Sequence, residues 1–496
     1  MFKNSLVFLS EKLKNRNDKK VFISLLVVAL FIRFPFFFRD YIDHDESTFI
    51  LLGQSWVDGF LPYMQLWDLK PPLNFAFFAA IISIFGKSFI ALRMAGTLLV
   101  VITAFFTFKL SAQITSKKIA MGAALGCVIL LSLFGSLQGV MSEHLCMAFF
   151  TPALYLLVSK KGSGWFFMAG LLMGIVVMVK LNMAYPILLL GLYLCYEALR
   201  AKKTRLFWHA ILYGTGTVII ILATVAPYYM DGNILVWWKS VVLAPLEYTG
   251  ARRYPILKLA PFFLIVTAFL LFSWKRKYLD FKDRNVIFLV IAIAGVLLSF
   301  LKGGRINGHY LIQLHPMLVI LVALTLSGLF SQYKPRIPKA AVLLLLLIPA
   351  ESYLEYGSIV RNKLRYGTFF NGEGFTVPKY ILEHSLETKN IFFMAYHIGY
   401  WNLGELPPSK AATHPSNICR DELYPFFDNP RKTSVAELKY IMVVLRPKTI
   451  VLRKDKLVFH RNEIEENAYM DAYLAKHYKV HAVVEKAEIL QRLEGF

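Results

Sequence analysis

The sequence predicts an all-α membrane protein, a polytopic bundle of about eleven transmembrane helices, with a small soluble α/β domain at its C-terminal end. Three observations carry this prediction. Of the 496 residues, 57% are apolar and only 18% are charged. Apolar runs of about 20 residues, the length of a membrane span, recur between residues 21 and 354. The last part of the chain, residues 355–496, has the mixed composition of a soluble protein.

Basic clusters between the apolar runs predict the orientation of the spans, because short cytoplasmic loops are enriched in Lys and Arg. Placing these clusters in the cytoplasm puts the N-terminus inside and the C-terminal domain outside. The N-terminal segment is basic and no small-x-small cleavage site follows it, so it is interpreted as a retained signal anchor. The predicted spans are 21–38, 89–110, 119–136, 143–159, 164–180, 183–199, 207–228, 256–274, 286–302, 309–330 and 339–354.

Residues 39–87 form the predicted first outer loop, a large loop that contains juxtamembrane helices. Within it, residues 73–85 are apolar, but about 13 residues are short for a span. A span there would also turn every later basic loop outward. We therefore interpret this segment as an interfacial helix on the outer side. The predicted domains are a transmembrane domain, 1–354, and an extracytoplasmic α/β domain, 355–496.

Alternating helix and strand patterns in residues 355–496 predict the α/β domain. The predicted helices are 381–386, 434–445 and 466–478, and the predicted strands are 390–397, 449–453 and 479–485. The region has no phosphate-binding glycine loop and no catalytic-triad spacing.

Charge and cysteine content argue against a nucleic-acid-binding protein and against a disulfide-stabilised protein. The net charge is +23, but the basic residues concentrate in short loops, so no nucleic-acid partner is predicted. The cysteines lack metal-ligand spacing and most lie in apolar runs, so no disulfide framework is predicted. They are Cys127, Cys146, Cys195 and Cys419.

The first outer loop combines acids with a Lys-Pro-Pro sequence. Asp45 and Glu46 follow the first predicted span, where a carboxylate can accept a proton from a hydroxyl or bind a divalent cation. The alternative is that they only solvate a loop that contains six acids. Lys70 precedes Pro71 and Pro72, whose fixed φ holds the chain extended. Its ammonium group then points toward a phosphate at headgroup level, or extends to the lipid headgroups themselves.

Further ionisable side chains lie at the outer ends of other predicted spans. Glu143 begins a span, where the helix dipole favours an anion, although it can also serve only as a cap. Lys180 lies at a tight outer turn, where it is either functional or simply reaches the interface. In a later glycine-rich turn, Arg305 can bind a phosphate through two parallel donors, and His309 and Tyr310 follow it. An ordinary flexible turn is the alternative there.

In combination these residues resemble the polyprenyl-phosphate-dependent glycosyltransferases of the GT-C superfamily, in particular the branch of protein O-mannosyltransferases and lipid A aminoarabinose transferases. The resemblance covers most of the chain; its first-loop motif is specific in combination, whereas each later match alone is weak. The matching residues are Asp45-Glu46, Gly59-Phe60-Leu61-Pro62-Tyr63, Lys70-Pro71-Pro72-Leu73, Glu143, His309-Tyr310, Pro316 and Pro407-Pro408-Ser409. Two features depart from the family. The second acid of the family is often Asp, where this chain has Glu143. The residue before Lys70 is Leu69, so any family member that uses an acid at that position has no counterpart here except Asp68.

The resemblance implies an active site at the outer face of the cytoplasmic (inner) membrane. The donor would be a sugar on a polyprenyl phosphate, and the acceptor would be a glycan, a lipid or a protein. The transfer would be a single displacement that inverts the anomeric centre. Membrane lipids would surround the protein as further partners. Asp45 would be the base, and Glu46 and Glu143 would support it or hold a divalent cation, whose involvement stays open. The residues that would bind the donor phosphate are Lys70, Lys180, Arg305, His309 and Tyr310.

Two other functions are weighed against this one. A transporter or flippase of lipid-linked glycans would move its ligand without chemistry, and it predicts charges deep within spans and repeat symmetry. Neither is evident in the sequence. An O-antigen ligase or polymerase would use diphosphate-linked donors and is not expected to place an Asp-Glu pair directly after its first helix.

Overall fold

A computed structural model describes residues 2–40, 43–251, 256–304, 306–334 and 344–493. Helices dominate these residues, and the strands among them lie in the last quarter of the chain. The α-helices are α1 (Phe2–Arg33), α2 (His44–Val57), α3 (Pro72–Phe85), α4 (Phe89–Ser111), α5 (Lys117–Leu130), α6 (Ser142–Ser159), α7 (Ser163–Val179), α8 (Ala184–Ala201), α9 (Thr204–Met230), α10 (Ile234–Trp238), α11 (Ala244–Ala251), α12 (Ile256–Lys275), α13 (Arg284–Gly303), α14 (His315–Tyr333), α15 (Ala350–Tyr366), α16 (Glu373–Glu383), α17 (Ile398–Leu403), α18 (Ser434–Lys439) and α19 (Ile464–His477). The strands are β1 (Phe392–Phe393), β2 (Thr449–Arg453), β3 (Tyr478–Val484) and β4 (Ala487–Arg492).

Several helices have the length and composition of membrane spans. In the described part of the chain, six are long and apolar enough: Asp18–Phe38, Phe89–Ser111, Leu181–Ala201, Thr204–Met230, Arg284–Gly303 and His315–Tyr333. Shorter apolar helices are Pro72–Phe85, Ser163–Val179 and Leu259–Lys275. The prediction of several apolar helices is thus confirmed, whereas their predicted number and orientation stay predictions. Residues 339–343, where the last predicted span begins, lie outside the described residues.

Proline positions explain where two of the predicted spans differ from the helices. The first span was expected to reach residue 38, but the α-helix ends at Arg33 and a 3₁₀ helix follows. Pro35 lies in that 3₁₀ segment and has no N–H to donate to an α-helical bond. A later span was expected to begin at 309 but begins at His315, with Pro316 in its first turn, a position that proline favours.

Contacts within the chain divide it into two compact units. The first unit consists of Met1–Phe37, Arg93–Leu222 and Arg253–Leu354. Within it α6 packs on α7, α8 on α13, and α5 on both α1 and α14. Gly295 of α13 permits close packing on α8, because a Cβ there would lie 2.3 Å from the Cα of Pro186.

A buried arginine joins three segments of the first unit. Arg33, at the end of α1, is 1% exposed. Its guanidinium donates to the carbonyls of Leu131, Leu137, Gln138 and Gly139 at 2.7 to 3.2 Å. These carbonyls follow the end of α5, where helical partners are lacking, so the arginine satisfies them.

The second unit consists of Phe38–Leu92, Ala223–Arg252 and Glu355–Phe496. Its sheet has the order β1-β2-β4-β3, in which β1 and β2 are parallel and the other pairs antiparallel. Within this unit α2 packs on α3 and α17. The predicted strand 449–453 has the bounds of β2, and β4 was not predicted.

Asp40 connects the start of the predicted first loop with the C-terminal residues of the same unit. Its backbone N–H donates to the carbonyl of Asn371 at 3.0 Å, and its carboxylate accepts from the N–H of Gly374 at 2.9 Å. This carboxylate therefore caps α16 from a distant point in the sequence. Residues 38–92 thus belong to the same compact unit as 355–496, and the predicted division at residue 354 stays a prediction of domain organisation.

Candidate functional site

The first candidate cluster lies in the second unit, at the N-terminus of α2. Asp43 caps this helix, because its carboxylate accepts from the backbone N–H of Asp45 at 3.0 Å. Asp45 and Glu46 then occupy the first turn, where the helix dipole stabilises negative charge. Glu46 is buried, whereas the side chain of Asp45 is 20% exposed. Adjacent helical positions point in different directions, so the two acids differ in access to solvent.

Asp45 binds two donors from distant parts of the chain. The Nζ of Lys70 lies 3.0 Å from its Oδ2. The Nε2 of His414 lies 3.1 Å from its Oδ1. The predicted base and the predicted phosphate ligand of the first loop are therefore in direct contact.

Buried polar bonds fix the backbone that presents Lys70. Tyr63 donates its hydroxyl to the carbonyl of Lys70 at 2.6 Å, and burial raises the pKa of this phenol well above its ordinary value, so it stays a donor. The N–H of Lys70 donates to Asp68 at 3.2 Å. Pro71 follows in extended conformation, and α3 begins at Pro72. Asp43 and Asp68 thus have structural roles, the first as the cap of α2 and the second as an acceptor for the backbone of Lys70.

The second candidate cluster lies in the first unit and unites four of the predicted residues. Glu143, at the start of α6, is fully buried and forms an ion pair with Lys180 at the end of α7. The Lys180 ammonium lies 4.5 Å from the ring centroid of Tyr310, within cation–π range. The Nε2 of His309 is 3.8 Å from a Glu143 oxygen. Arg305 lies outside the described residues.

Amide side chains hold the turn beside this second cluster. Asn182, in the 3₁₀ turn after Lys180, donates to Gln313 at 3.2 Å and to Ser299 at 3.4 Å. Gln313 ends the 3₁₀ helix Gly308–Gln313, which contains His309 and Tyr310. The Lys180 turn and the His309–Tyr310 turn are therefore linked by amide hydrogen bonds.

Two histidines near Asp45 were not singled out from the sequence. His414 is 8% exposed and His397 is 1% exposed. Their distance from Asp45 along the chain left no local signal, and the only cue for His414 was the turn-forming sequence His-Pro-Ser. In the part of the chain that the structure describes, no group of three or more His, Cys, Asp or Glu side chains is arranged to hold a metal ion.

Comparisons with known proteins agree with the fold. Residues 69–230 match the family model described as dolichyl-phosphate-mannose-protein mannosyltransferase. The crystal structure of ArnT from Cupriavidus metallidurans bound to undecaprenyl phosphate has a TM-score of 0.60 to this chain. The two sequences are 13% identical, and the match covers 95% of this chain and 98% of that chain.

The same ArnT in its apo state gives a TM-score of 0.62 at 12% identity and covers 97% of this chain and 98% of that chain. No curated protein sequence matches the chain. The chain therefore has a fold similar to that of ArnT over nearly its whole length, its residues 69–230 are similar to the mannosyltransferase family model, and its apolar helices support a multi-pass membrane protein. Both similarities agree with the resemblance described from the sequence.

Proposed function

We propose that this protein transfers a sugar from a polyprenyl phosphate to an acceptor hydroxyl at the outer face of the cytoplasmic membrane. The contact between Asp45 and Lys70 is the observation that carries the proposal, because it joins a base to a cation in one partly exposed cluster. The undecaprenyl phosphate in the similar ArnT structure supports the choice of donor class.

Asp45 is the proposed general base. A carboxylate within hydrogen-bond reach of the acceptor hydroxyl can remove its proton as the new bond forms. Each carboxylate oxygen has two lone pairs, so Asp45 can accept this proton while it accepts from Lys70 and His414. The helix dipole at the start of α2 favours its ionised form.

Lys70 is the proposed ligand of the donor phosphate. Its ammonium has three donors, and the bond to Asp45 occupies one of them. A phosphate bound to another donor would lie up to about 6 Å from the carboxylate, the sum of two hydrogen bonds. That separation accommodates an acceptor oxygen and an anomeric carbon in near-attack geometry.

The proposed reaction is a single displacement. The acceptor oxygen forms a bond to the anomeric carbon as the bond from that carbon to the phosphate oxygen breaks. The electron pair leaves with the phosphate, whose negative charge Lys70 stabilises, and the hydroxyl proton passes to Asp45. Inversion at the anomeric carbon follows from attack opposite the leaving group.

The second cluster, in the first unit, has a separate proposed role in binding phosphate. Lys180, His309, Tyr310 and Arg305 are its proposed ligands. Glu143 is fully buried against Lys180, which favours a role in orienting and neutralising that lysine over contact with the acceptor. Its proposed function is thus support, as is that of Glu46.

The deciding experiment measures transfer from a panel of polyprenyl-phosphate sugars by the full-length protein in membranes. Asp45→Asn keeps the size of the side chain but removes its charge and replaces one of its two acceptor oxygens with an amide donor, so we expect transfer to fall about 10²- to 10⁴-fold. Lys379→Met, which changes a lysine whose side chain is 71% exposed, is the matched control. Full transfer by well-folded Asp45→Asn would overturn the assignment of the base.

Product analysis separates this proposal from a flippase. A glycosyltransferase releases free polyprenyl phosphate in step with the glycosylated acceptor, whereas a flippase leaves the lipid-linked sugar intact. NMR of the product reports the anomeric configuration, and retention of the donor's configuration would contradict the single displacement.

A further inference from the structure

We propose that His414 is a positioning residue for Asp45, which it holds by a hydrogen bond from a single, fixed imidazole tautomer. This inference rests on the proposed function of Asp45 as the base. It assigns a role in the reaction to the C-terminal part of the chain, which carries none of the residues expected from the sequence to act in catalysis.

The partners of the imidazole determine its tautomer. The backbone N–H of Ser416 points at Nδ1 of His414 with an N···N distance of 3.1 Å. A backbone N–H can only donate, so Nδ1 must be the unprotonated acceptor. The proton of the neutral ring then lies on Nε2, which is 3.1 Å from Oδ1 of Asp45 and donates to it.

The same geometry excludes a relay in which His414 contacts the acceptor. Its Nδ1 accepts from the Ser416 N–H and is also 2.8 Å from the Ser416 hydroxyl. The His414 side chain is 10% exposed. Neither nitrogen is thus available to remove a proton from a substrate, and this task stays with Asp45.

The segment that carries His414 is itself bonded to the first loop. Thr413 accepts from the backbone N–H of Trp67 through its hydroxyl at 3.3 Å, and its carbonyl accepts from the Thr48 hydroxyl at 3.4 Å. His414 caps the 3₁₀ turn Pro415–Asn417. The imidazole is therefore held on both sides, by its own turn and by α2 with the loop after it.

Two donors on different oxygens fix the plane of a carboxylate. His414 binds Oδ1 and Lys70 binds Oδ2 of Asp45. Rotation about the Cβ–Cγ bond would break both bonds. A carboxylate held in one orientation keeps its oxygens directed at the acceptor hydroxyl. Misplacement of a reacting group by about 1 Å can lower the rate roughly 10²-fold.

The test compares His414→Gln with His414→Asn in full-length protein. The amide nitrogen of glutamine reaches about as far from the backbone as Nε2 and can donate to Asp45, whereas that of asparagine stops at the position of Nδ1. We expect His414→Asn to lower kcat by up to about 100-fold, with the KM for the lipid donor unchanged, and His414→Gln to restore most of kcat. His384→Asn changes an exposed histidine of the same unit and is the control.

The outcomes are distinguishable. Wild-type kcat in His414→Asn would overturn the proposal, as would equal losses in the glutamine and asparagine variants. Thermal unfolding of each purified variant identifies losses that come only from misfolding. Asp45→Asn is assayed in parallel: if it is inactive while His414→Asn is fully active, only the positioning role fails, and if it is active, the proposed base itself fails.

Discussion

The ammonium group of Lys70 lies 3.0 Å from the carboxylate of Asp45, although 25 residues separate them in the chain. Both side chains are 20% exposed, so the pair is neither buried nor free in solvent. A partly exposed cation beside a carboxylate can accept an additional anion without leaving the acid unpaired. Partial burial, together with room for a further anion, distinguishes this pair from the surface ion pairs of the same unit.

Replacing Lys70 is expected to affect activity far more than stability. Lys70→Met should lower kcat by about 10²- to 10³-fold, the usual cost of removing a group that stabilises developing charge. Lys70→Arg keeps the charge and should retain part of the activity. Transfer assays and thermal unfolding in detergent measure both effects. A kcat within twofold of wild type in Lys70→Met would contradict the role in phosphate binding.

Breaking the buried ion pair of Glu143 and Lys180 is expected to destabilise the protein. Glu143→Gln leaves the charge of Lys180 without its carboxylate in a buried site, which typically costs about 3–5 kcal/mol. Glu383→Gln is the matched control, since it breaks the exposed pair with Lys379 and should cost about 0.5 kcal/mol or less. Unfolding free energies in detergent compare the two, and equal values would refute the expectation.

Arg33 should be intolerant of substitution for a structural reason. Arg33→Met leaves the buried carbonyls of Leu137, Gln138 and Gly139 without their arginine donor, while that of Leu131 keeps its bond to His144. Since bonds to charged groups contribute about 1.5–3 kcal/mol each, we expect a loss of at least about 3 kcal/mol. Arg33→Lys should recover little, because an ammonium lacks the planar fork of a guanidinium. Arg361→Met, at an exposed site, is the control. Thermal unfolding measures the stability of each variant, and Arg33→Met and Arg33→Lys should both unfold at lower temperature than Arg361→Met.

The second unit should lose stability in mild acid through His397. Burial, and then the nearby His44 and His414, hold the pKa of His397 well below its ordinary value of 6.5. The unfolded chain therefore binds a proton near pH 6.5 that the folded chain does not, so stability falls as the pH drops below this value. The slope from this group approaches about 1.4 kcal/mol per pH unit.

Thermal unfolding between pH 7.5 and about 5 tests this expectation for His397. His397→Gln removes the titrating group and should show a shallower decline than wild type. His384→Gln, at an exposed histidine, should keep the wild-type slope. The same slope in all three proteins would disprove the assignment.

The proposed orientation predicts that the C-terminal residues face away from the cytoplasm. Glu383 is an exposed residue of α16, so a Glu383→Cys variant should react with a membrane-impermeant maleimide added outside intact cells. This variant is made in protein that also carries Cys195→Ser, since the other native cysteines are buried. Labelling only after the cytoplasmic side is opened would refute the orientation.

The sequence predicted the elements whose signal is local. Strand β2, Thr449–Arg453, lies within one apolar β-branched run and was predicted with its observed bounds. Strand β4 was missed because it follows β3 through Glu485 and Lys486, and this turn lacks the Asn-Gly or Asp-Gly signal of short hairpins. Glu485 has a φ of 54°, which its residue type does not indicate.

Elements that depend on distant partners could not be predicted in the same way. Helix α16 was expected at 381–386 but runs from Glu373 to Glu383, because Asp40 caps its first turn from far upstream. The residues of the candidate site also divide into those with a local sequence signal and those that depend on a distant partner. Lys70 was found from its two following prolines, whereas the role of His414 depends on its contact with Asp45 across 369 residues.

That separation of Asp45 and His414 also has a consequence in time. A ribosome adds about 5–20 residues per second, so roughly 20 to 70 s pass between synthesis of the acid and of its histidine partner. During this interval the first loop has already been made, yet the segment that orients its carboxylate does not exist. A nascent chain arrested before residue 414 should therefore lack a fully organised side chain at the proposed base, and activity should arise only after synthesis is nearly complete.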